Sequence, residues 1–420
     1  MNILNIEYDK YKLNNGMEVI LYKDGALPLV ASNIWFKVGS SNEKRGKTGI
    51  AHLFEHMMFQ GSENVPKEMH FKFIQEAGGS LNGSTSFDRT NYYEKVPSNF
   101  LELILWLESD RMGFFLPALT QEKLDNQIGV VKNERQERYD NQPYGLSWEI
   151  LLSNLFNQNH PYSWPTIGFM NDITAYTLRD VSEFFTKYYS PANASLVVAG
   201  DFEKEKTKEL IEKYFGNLPS NNHLGKPGLP LNILSENKLI IHPDNVQLER
   251  LYLAWHSDVA YSDDDAELDI LSDILTGSKN SRLYKNLVFE KEIAQDITAF
   301  QFSGKLAGFY IIVATARPGV KCEHLKAEIL NELDSVRKNG VTSKELVKSK
   351  NGIKSGFIFS MQNIDSLADQ INSYNFFLNE PNSFNYDLKR YEGIRNEGIK
   401  NAAEKYLTKP YVELHIIPNK

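Results

Sequence analysis

The chain has 420 residues, enough for two or three domains, and its 46 Lys and Arg against 54 Asp and Glu leave a net charge of -8, without the basic surplus that nucleic-acid binding requires. Hydrophobic residues at 41% and charged residues at 24% are the usage of a folded chain rather than a disordered one. The single cysteine, Cys322, excludes an internal disulfide and a thiolate-rich metal site, and no apolar run reaches the roughly 18 residues of a membrane span. Residues 1–7 show neither a basic n-region nor an apolar h-region, so a cytoplasmic location is expected if that start is native and a periplasmic one if a leader was removed.

In chain order, residues 17–23 and 29–38 read as the strands of a hairpin, and 49–59 as an apolar helix. Residues 69–77 form a helical pattern stopped by Gly78-Gly79, and 80–93 follow as one long strand rich in Thr, Ser and Tyr. Helical periodicity returns at 99–112 and 120–139. Another helical pattern runs into Lys187-Tyr188-Tyr189-Ser190-Pro191 and then the apolar strand Leu196-Val197-Val198-Ala199. Residues 218–232, with three prolines and two glycines and no period, mark a linker near mid-chain.

The second half repeats the grammar of the first. A strand with an aromatic centre (251–255) leads through a polar bridge into an apolar helix (266–275), as 33–38 leads into 49–59. Residues 399–418 again give a helix, then Lys405-Tyr406-Leu407-Thr408-Lys409-Pro410, then a strand. The expected fold class is therefore α+β: two homologous repeats, each an antiparallel sheet with helices on one face, spanning 1–219 and 233–420 around a linker at 220–232.

His52-Leu53-Phe54-Glu55-His56 lies inside the first apolar helix. At 100° per residue, positions 52, 55 and 56 fall at about 0°, 300° and 40°, which puts both imidazoles and the carboxylate on one face. The remainder of the helix is apolar, so burial is expected, and an unsatisfied polar group there would cost on the order of 1–3 kcal/mol. A metal ion satisfies all three. Two histidines one turn apart suit zinc, and the glutamate can take a proton from water on the metal, as in the inverted H-x-x-E-H signature of zinc peptidases. A third protein ligand is required, and the 120–139 helix offers Glu122, Glu134 and Glu137, among which spacing alone does not choose.

With this motif and with Ala77-Gly78-Gly79-Ser80-Leu81-Asn82-Gly83-Ser84-Thr85-Ser86, Asp88-Arg89-Thr90-Asn91-Tyr92-Tyr93, Asn141-Gln142-Pro143-Tyr144-Gly145 and Ser281-Arg282-Leu283, the chain resembles the pitrilysin and insulinase superfamily along its whole length. It looks most like half-length bacterial members similar to the catalytic subunit of the mitochondrial processing peptidase. The resemblance implies a zinc metalloendopeptidase with one Zn2+ per chain, a catalytic first repeat, and a degenerate second repeat that walls the substrate chamber. It selects Glu134, 78 residues after His56, as the third ligand beside His52 and His56, with Glu55 as the catalytic base. It further implies that Asn82, Gly83, Ser84 and Thr85 form an edge strand that pairs with an extended peptide substrate.

Two departures from the family pattern stand out. Gln127 stands where a supporting glutamate is usual, which removes a charge from the surroundings of the metal. In the second half, the arginine and tyrosine that grip substrate in many members align with Val288 and Gln295. The resemblance thus implies a heterodimer with a related subunit carrying that pair, with a homodimer as the rival; the alternative function is a non-catalytic structural or assembly subunit. His70 and His160 read as hydrogen-bonded or surface histidines, and Asp263-Asp264-Asp265 as an acidic helix entry rather than a calcium loop.

Overall fold

A computed structural model describes residues 5–221 and 234–419, so the expected linker lies outside the described residues from 222 onward. Among the described residues, eleven strands form two sheets. The first holds β1 (Asp9–Lys12), β2 (Glu18–Lys23), β3 (Leu29–Phe36), β4 (Ser80–Thr85), β5 (Thr90–Pro97) and β6 (Ala194–Gly200) in the order β1-β2-β6-β3-β5-β4. The second holds β7 (Lys238–Asp244), β8 (Arg250–Ser257), β9 (Ala294–Ser303), β10 (Gly308–Ala316) and β11 (Tyr411–Pro418) in the order β7-β11-β8-β10-β9. Apart from β1 the two orders coincide strand for strand, which is the duplication expected from the sequence. Each sheet has one parallel pair, β2 with β6 (Leu21 beside Val198) and β7 with β11 (Ile240 beside Leu414); the other pairings are antiparallel.

Local expectations are corrected in two places. Residues 17–23 and 29–38 are strands but not a hairpin, because β6 (Ala194–Gly200), far later in the chain, returns to lie between them. A fully buried strand such as Leu196-Val197-Val198-Ala199 gains most in the sheet interior, where it buries both faces and bonds along both edges. The long strand expected over 80–93 is two, β4 and β5, turned by Ser86–Arg89, with the Ser86 amide donating to the Arg89 carbonyl at 2.9 Å.

The first compact unit comprises residues 5–135, 164–221 and 358–383, and the second 136–163, 234–357 and 384–419. The sequence-based division at 219 and 233 therefore does not match the way the chain packs. In the first unit, helix Ile364–Leu378 lies on β3 and β6, on the face opposite the motif helix. Its attachment combines buried Leu367, Ala368 and Ile371 with polar bonds: Asn372 donates to the Asn33 and Ser195 carbonyls at 2.8 and 3.3 Å, Asn375 bonds Glu18 and Ser195, and Asp369 accepts from Asn33, Trp35 and Asn91. In the second unit, helix Ser147–Leu155 covers β11 and β8 through buried Leu151, Leu152 and Leu155, each worth roughly 1.5–3 kcal/mol of burial. Just before it, Tyr144 holds the 136–163 segment in that unit, with its hydroxyl donating to the Leu248 carbonyl, its amide donating to Asp244 and its ring under Arg250 at 3.7 Å. Helices were expected on one face of each sheet; they cover both, because each sheet receives a helix from the other half of the sequence.

Candidate metal centre

Helix α1 (Ile50–Met57) buries Ile50, Ala51, Leu53, Phe54 and Met57 and leaves His52, Glu55 and His56 together on a half-buried face. Its start is held in two ways. Gly49 adopts φ 85, and a Cβ there would lie 2.4 Å from the Ile167 carbonyl oxygen, so only glycine allows this approach. The buried Glu43 carboxylate accepts the Gly49 and Ala51 amides at 2.9 Å each and the Trp164 indole N–H at 3.0 Å, which satisfies the open first turn. Burial outweighs these donors and pushes its carboxyl up to about 8. Asp172 adds acceptors for the Thr48 amide and hydroxyl.

Helix α2 (Met69–Glu76) and helix α3 (Leu101–Gly113) precede α4 (Gln121–Arg135), which brings the third carboxylate. Leu124, Gln127, Val131 and Arg135 anchor the buried stripe of α4, and Glu134 sits beside it. Of the three candidate glutamates, Glu134 alone joins the histidine pair; Glu122 and Glu137 are exposed. Glu134 Oε2 lies 3.7 Å from His52 Nε2 and 3.4 Å from His56 Nε2, and one donor atom from each of the three falls within 4.8 Å of the others. Zinc bonds of about 2.0–2.1 Å in a tetrahedron separate neighbouring ligand atoms by about 3.4 Å. The three donors thus fit one zinc ion in chemistry and in spacing, on a face open enough to leave a further position.

Glu55, beside this cluster, receives the Thr85 hydroxyl at 2.5 Å. Burial raises its carboxyl above the ordinary range, while the Thr85 hydrogen bond and the nearby His56 and Arg89 charges pull it down and Glu134 adds to the rise. Thr85 belongs to β4, one of the two edge strands of the first sheet. Gly83 packs so closely on Glu55 that an added Cβ would meet its Cγ at 3.2 Å. In the antiparallel β4–β5 pair the Ser86–Arg89 hydrogen bond sets the alternation, so the backbone groups of residues 81, 83 and 85 point away from β5 toward the open edge. The Asn82 side chain caps one of them, accepting from the Gly83 amide at 2.9 Å.

Gln127 is buried on α4, bonded to Asn126 at 2.9 Å. Val288 is buried in the second unit and Gln295 is exposed on β9, so neither position offers the charge and ring of a gripping pair. The remaining expectations are met by ordinary packing. His160 stacks on Phe156 at 4.6 Å and is pushed down to about 4 by burial, and Asp265 opens helix Asp265–Thr276 with Arg390 as its partner at 2.7 Å. A second group of possible ligands, His70, Glu94 and Glu108, is fully buried, but the Arg111 guanidinium already lies against both carboxylates where a cation would sit. Sequence reasoning missed Glu43 and Asp172; a lone carboxylate several residues before a helix, or far along the chain, leaves no pattern to find.

Two sheets of matching topology, with a paired-histidine helix and a distant glutamate in the first, define a duplicated α+β protein with one candidate metal centre. Residues 18–168 match the model of the insulinase family, peptidase family M16, and residues 175–353 match that of the peptidase M16 inactive domain. The zinc protease PqqE of Helicobacter pylori is 32% identical over 88% of this chain and 83% of its own length. The uncharacterized zinc protease YmxG of Bacillus subtilis is 24% identical over 98% of both chains. Among solved structures, a protease from Helicobacter pylori superposes with a TM-score of 0.92 at 28% identity, covering 99% of this chain and all of the other. The chain belongs to the insulinase family of M16 peptidases. No helix among the described residues is long and apolar enough to cross a membrane.

Proposed function

We propose that this chain is a zinc-dependent endopeptidase that hydrolyses extended peptides or small unfolded polypeptides. The observation that carries this reading is the convergence of His52, His56 and Glu134 at the spacing of a zinc ligand set, with Glu55 alongside. His52 and His56 through Nε2 and Glu134 through Oε2 would hold the ion. Bound zinc supplies Lewis-acid activation of water and of the peptide carbonyl. Glu55 accepts the proton of the attacking water at a carboxylate oxygen and returns it to the leaving amine, and Thr85 orients that carboxylate. The open edge of β4 binds the substrate backbone through residues 81, 83 and 85, which favours extended chains over folded ones.

The gripping arginine and tyrosine, aligned with Val288 and Gln295 here, would come from a related partner subunit, so the working form is a dimer. A non-catalytic reading is favoured by one observation, the uncharged Gln127 two turns before Glu134. Metal analysis and hydrolysis of a quenched peptide, with and without a chelator, separate the two. The catalytic reading requires about one zinc per chain and chelator-sensitive cleavage. A chain that holds no zinc and cleaves nothing, alone or with its partner, is the structural subunit.

A further inference from the structure

Inside the first unit lies a charged cluster that the chemistry above does not use. Arg111 of α3, 2% exposed, donates from Nε to Glu108 at 3.0 Å and from Nη2 to both Glu108 and Glu94 of β5, the latter at 3.3 Å. His70 of α2 stands 3.4 Å from Glu94. Burial pushes His70 down to about 3, which keeps it neutral, and raises both carboxyls, Glu108 well above its ordinary range. Buried ion clusters are weak sources of stability, because apolar side chains of similar volume often serve a fold as well or better. Packing alone therefore gives little reason for a guanidinium at this depth.

Its other contacts lead to the site. Arg111 Cζ lies 4.2 Å from the centre of the Tyr92 ring and 5.1 Å from that of Phe59. Its Nη1 meets no hydrogen-bond acceptor among the described residues, so the ring faces are the electron-rich surfaces left to it. The two rings stand edge to face, 5.7 Å apart, and both close on one backbone position. An added Cβ on Gly83 would meet Phe59 Cε2, Tyr92 Cδ1 and Glu55 Cγ at 3.2 Å each. Gly83 thus sits in a three-sided socket, with two sides made of rings that Arg111 touches and the third of the Glu55 stem. A buried cation draws ring faces toward itself, an orientation preference that an apolar side chain of equal length lacks.

We propose that Arg111 is a positioning residue for Glu55: through the Phe59 and Tyr92 rings it fixes the socket where Gly83 meets the Glu55 stem, and so sets the carboxylate beside the Thr85 hydroxyl. The inference rests on the proposed role of Glu55 as proton acceptor. Arg111 itself touches neither the metal ligands nor substrate in this role.

The test uses the full chain, with activity expressed per folded, zinc-loaded molecule, so that a loss of stability alone changes nothing. Arg111→Met keeps the length and removes the charge; it should leave zinc content and the KM for a quenched peptide within about twofold and lower kcat about tenfold. Arg111→Lys restores a cation and should recover at least about threefold of that loss. In a double-mutant cycle, Arg111→Met added to Phe59→Leu should cost clearly less than it does alone. If Arg111→Met does not fold, Glu108→Gln loosens the guanidinium at constant volume and should lower kcat about threefold. Unchanged kcat in the folded variant, no recovery with lysine, or additive losses in the cycle overturns the assignment. A wild-type chain that cleaves nothing refutes the peptidase reading separately, and hydrogen exchange then decides the positioning. The Asn82 and Ser84 amides, which face β5, should exchange about tenfold faster in the Arg111 or Glu108 variant, and unchanged rates there overturn it.

Discussion

At the level of single residues, the site depends on which groups hold α1 and which act from it. Glu55→Gln keeps size and one acceptor but cannot hold a proton at the carboxylate, so it should retain zinc while kcat falls by about 10²–10⁴-fold. Retained turnover with normal zinc would remove Glu55 from its role. Glu43 should matter through the helix start: Glu43→Ala leaves the Gly49 and Ala51 amides buried without an acceptor, and the Trp164 indole N–H with only the Ser40 carbonyl at 3.3 Å, and should cost ~2–4 kcal/mol in chemical denaturation. Because the folded Glu43 carboxyl sits near 8, above its unfolded value near 4.5, the fold binds the extra proton between those values, and this contribution is lost as pH rises through that window. Glu43→Gln should flatten the fall in stability from pH 4.5 to 8; an unchanged slope would place the titration elsewhere. His52, Glu55 and His56 were legible in the sequence because helical periodicity puts three polar groups on one face of an apolar helix. Glu134 was legible only through the family resemblance, since three glutamates share its helix and only the tertiary fold brings one of them to the histidines.

At the level of elements, β4 joins the Glu55 carboxylate to the open sheet edge. Gly83→Val should place methyl groups against Glu55, Phe59 and Tyr92, whose nearest atoms already lie 3.2 Å from an added Cβ. Displacing Glu55 in this way should lower kcat/KM about tenfold or more while zinc stays bound. Full activity in that variant would show that β4 can move away without consequence. The alternating sequence of 80–93 displayed strand character, and the Ser86–Arg89 turn within it was hidden because its turn formers, Ser86 and Asp88, stand without the glycine or proline that would mark a break. The supposed hairpin of 17–23 and 29–38 failed for another reason: strands close in sequence usually pair, and no local signal announces that β6 will separate them.

At the level of the whole molecule, the duplication was visible in repeated strand and helix order, but the exchange of covering helices was not. Helix Ile364–Leu378 is amphipathic with Asn372 and Asn375 buried, which reads in sequence as an ordinary surface helix of the second half. Its partners Asn33 and Ser195 are more than 170 residues away. A chain truncated after residue 219 should therefore expose the face of the first sheet that this helix covers, fail to melt cooperatively, and recover when residues 220–420 are supplied in trans. Cooperative unfolding of the isolated fragment would contradict the interleaved packing.

The central claim is that one zinc ion is held by His52, His56 and Glu134. Anomalous diffraction at the zinc absorption edge from crystals of the full chain tests it most directly. The account predicts a single strong peak within about 2.0–2.2 Å of His52 Nε2, His56 Nε2 and a Glu134 oxygen. Crystals grown with zinc that show no peak there, or a peak elsewhere with these three side chains apart, would contradict it.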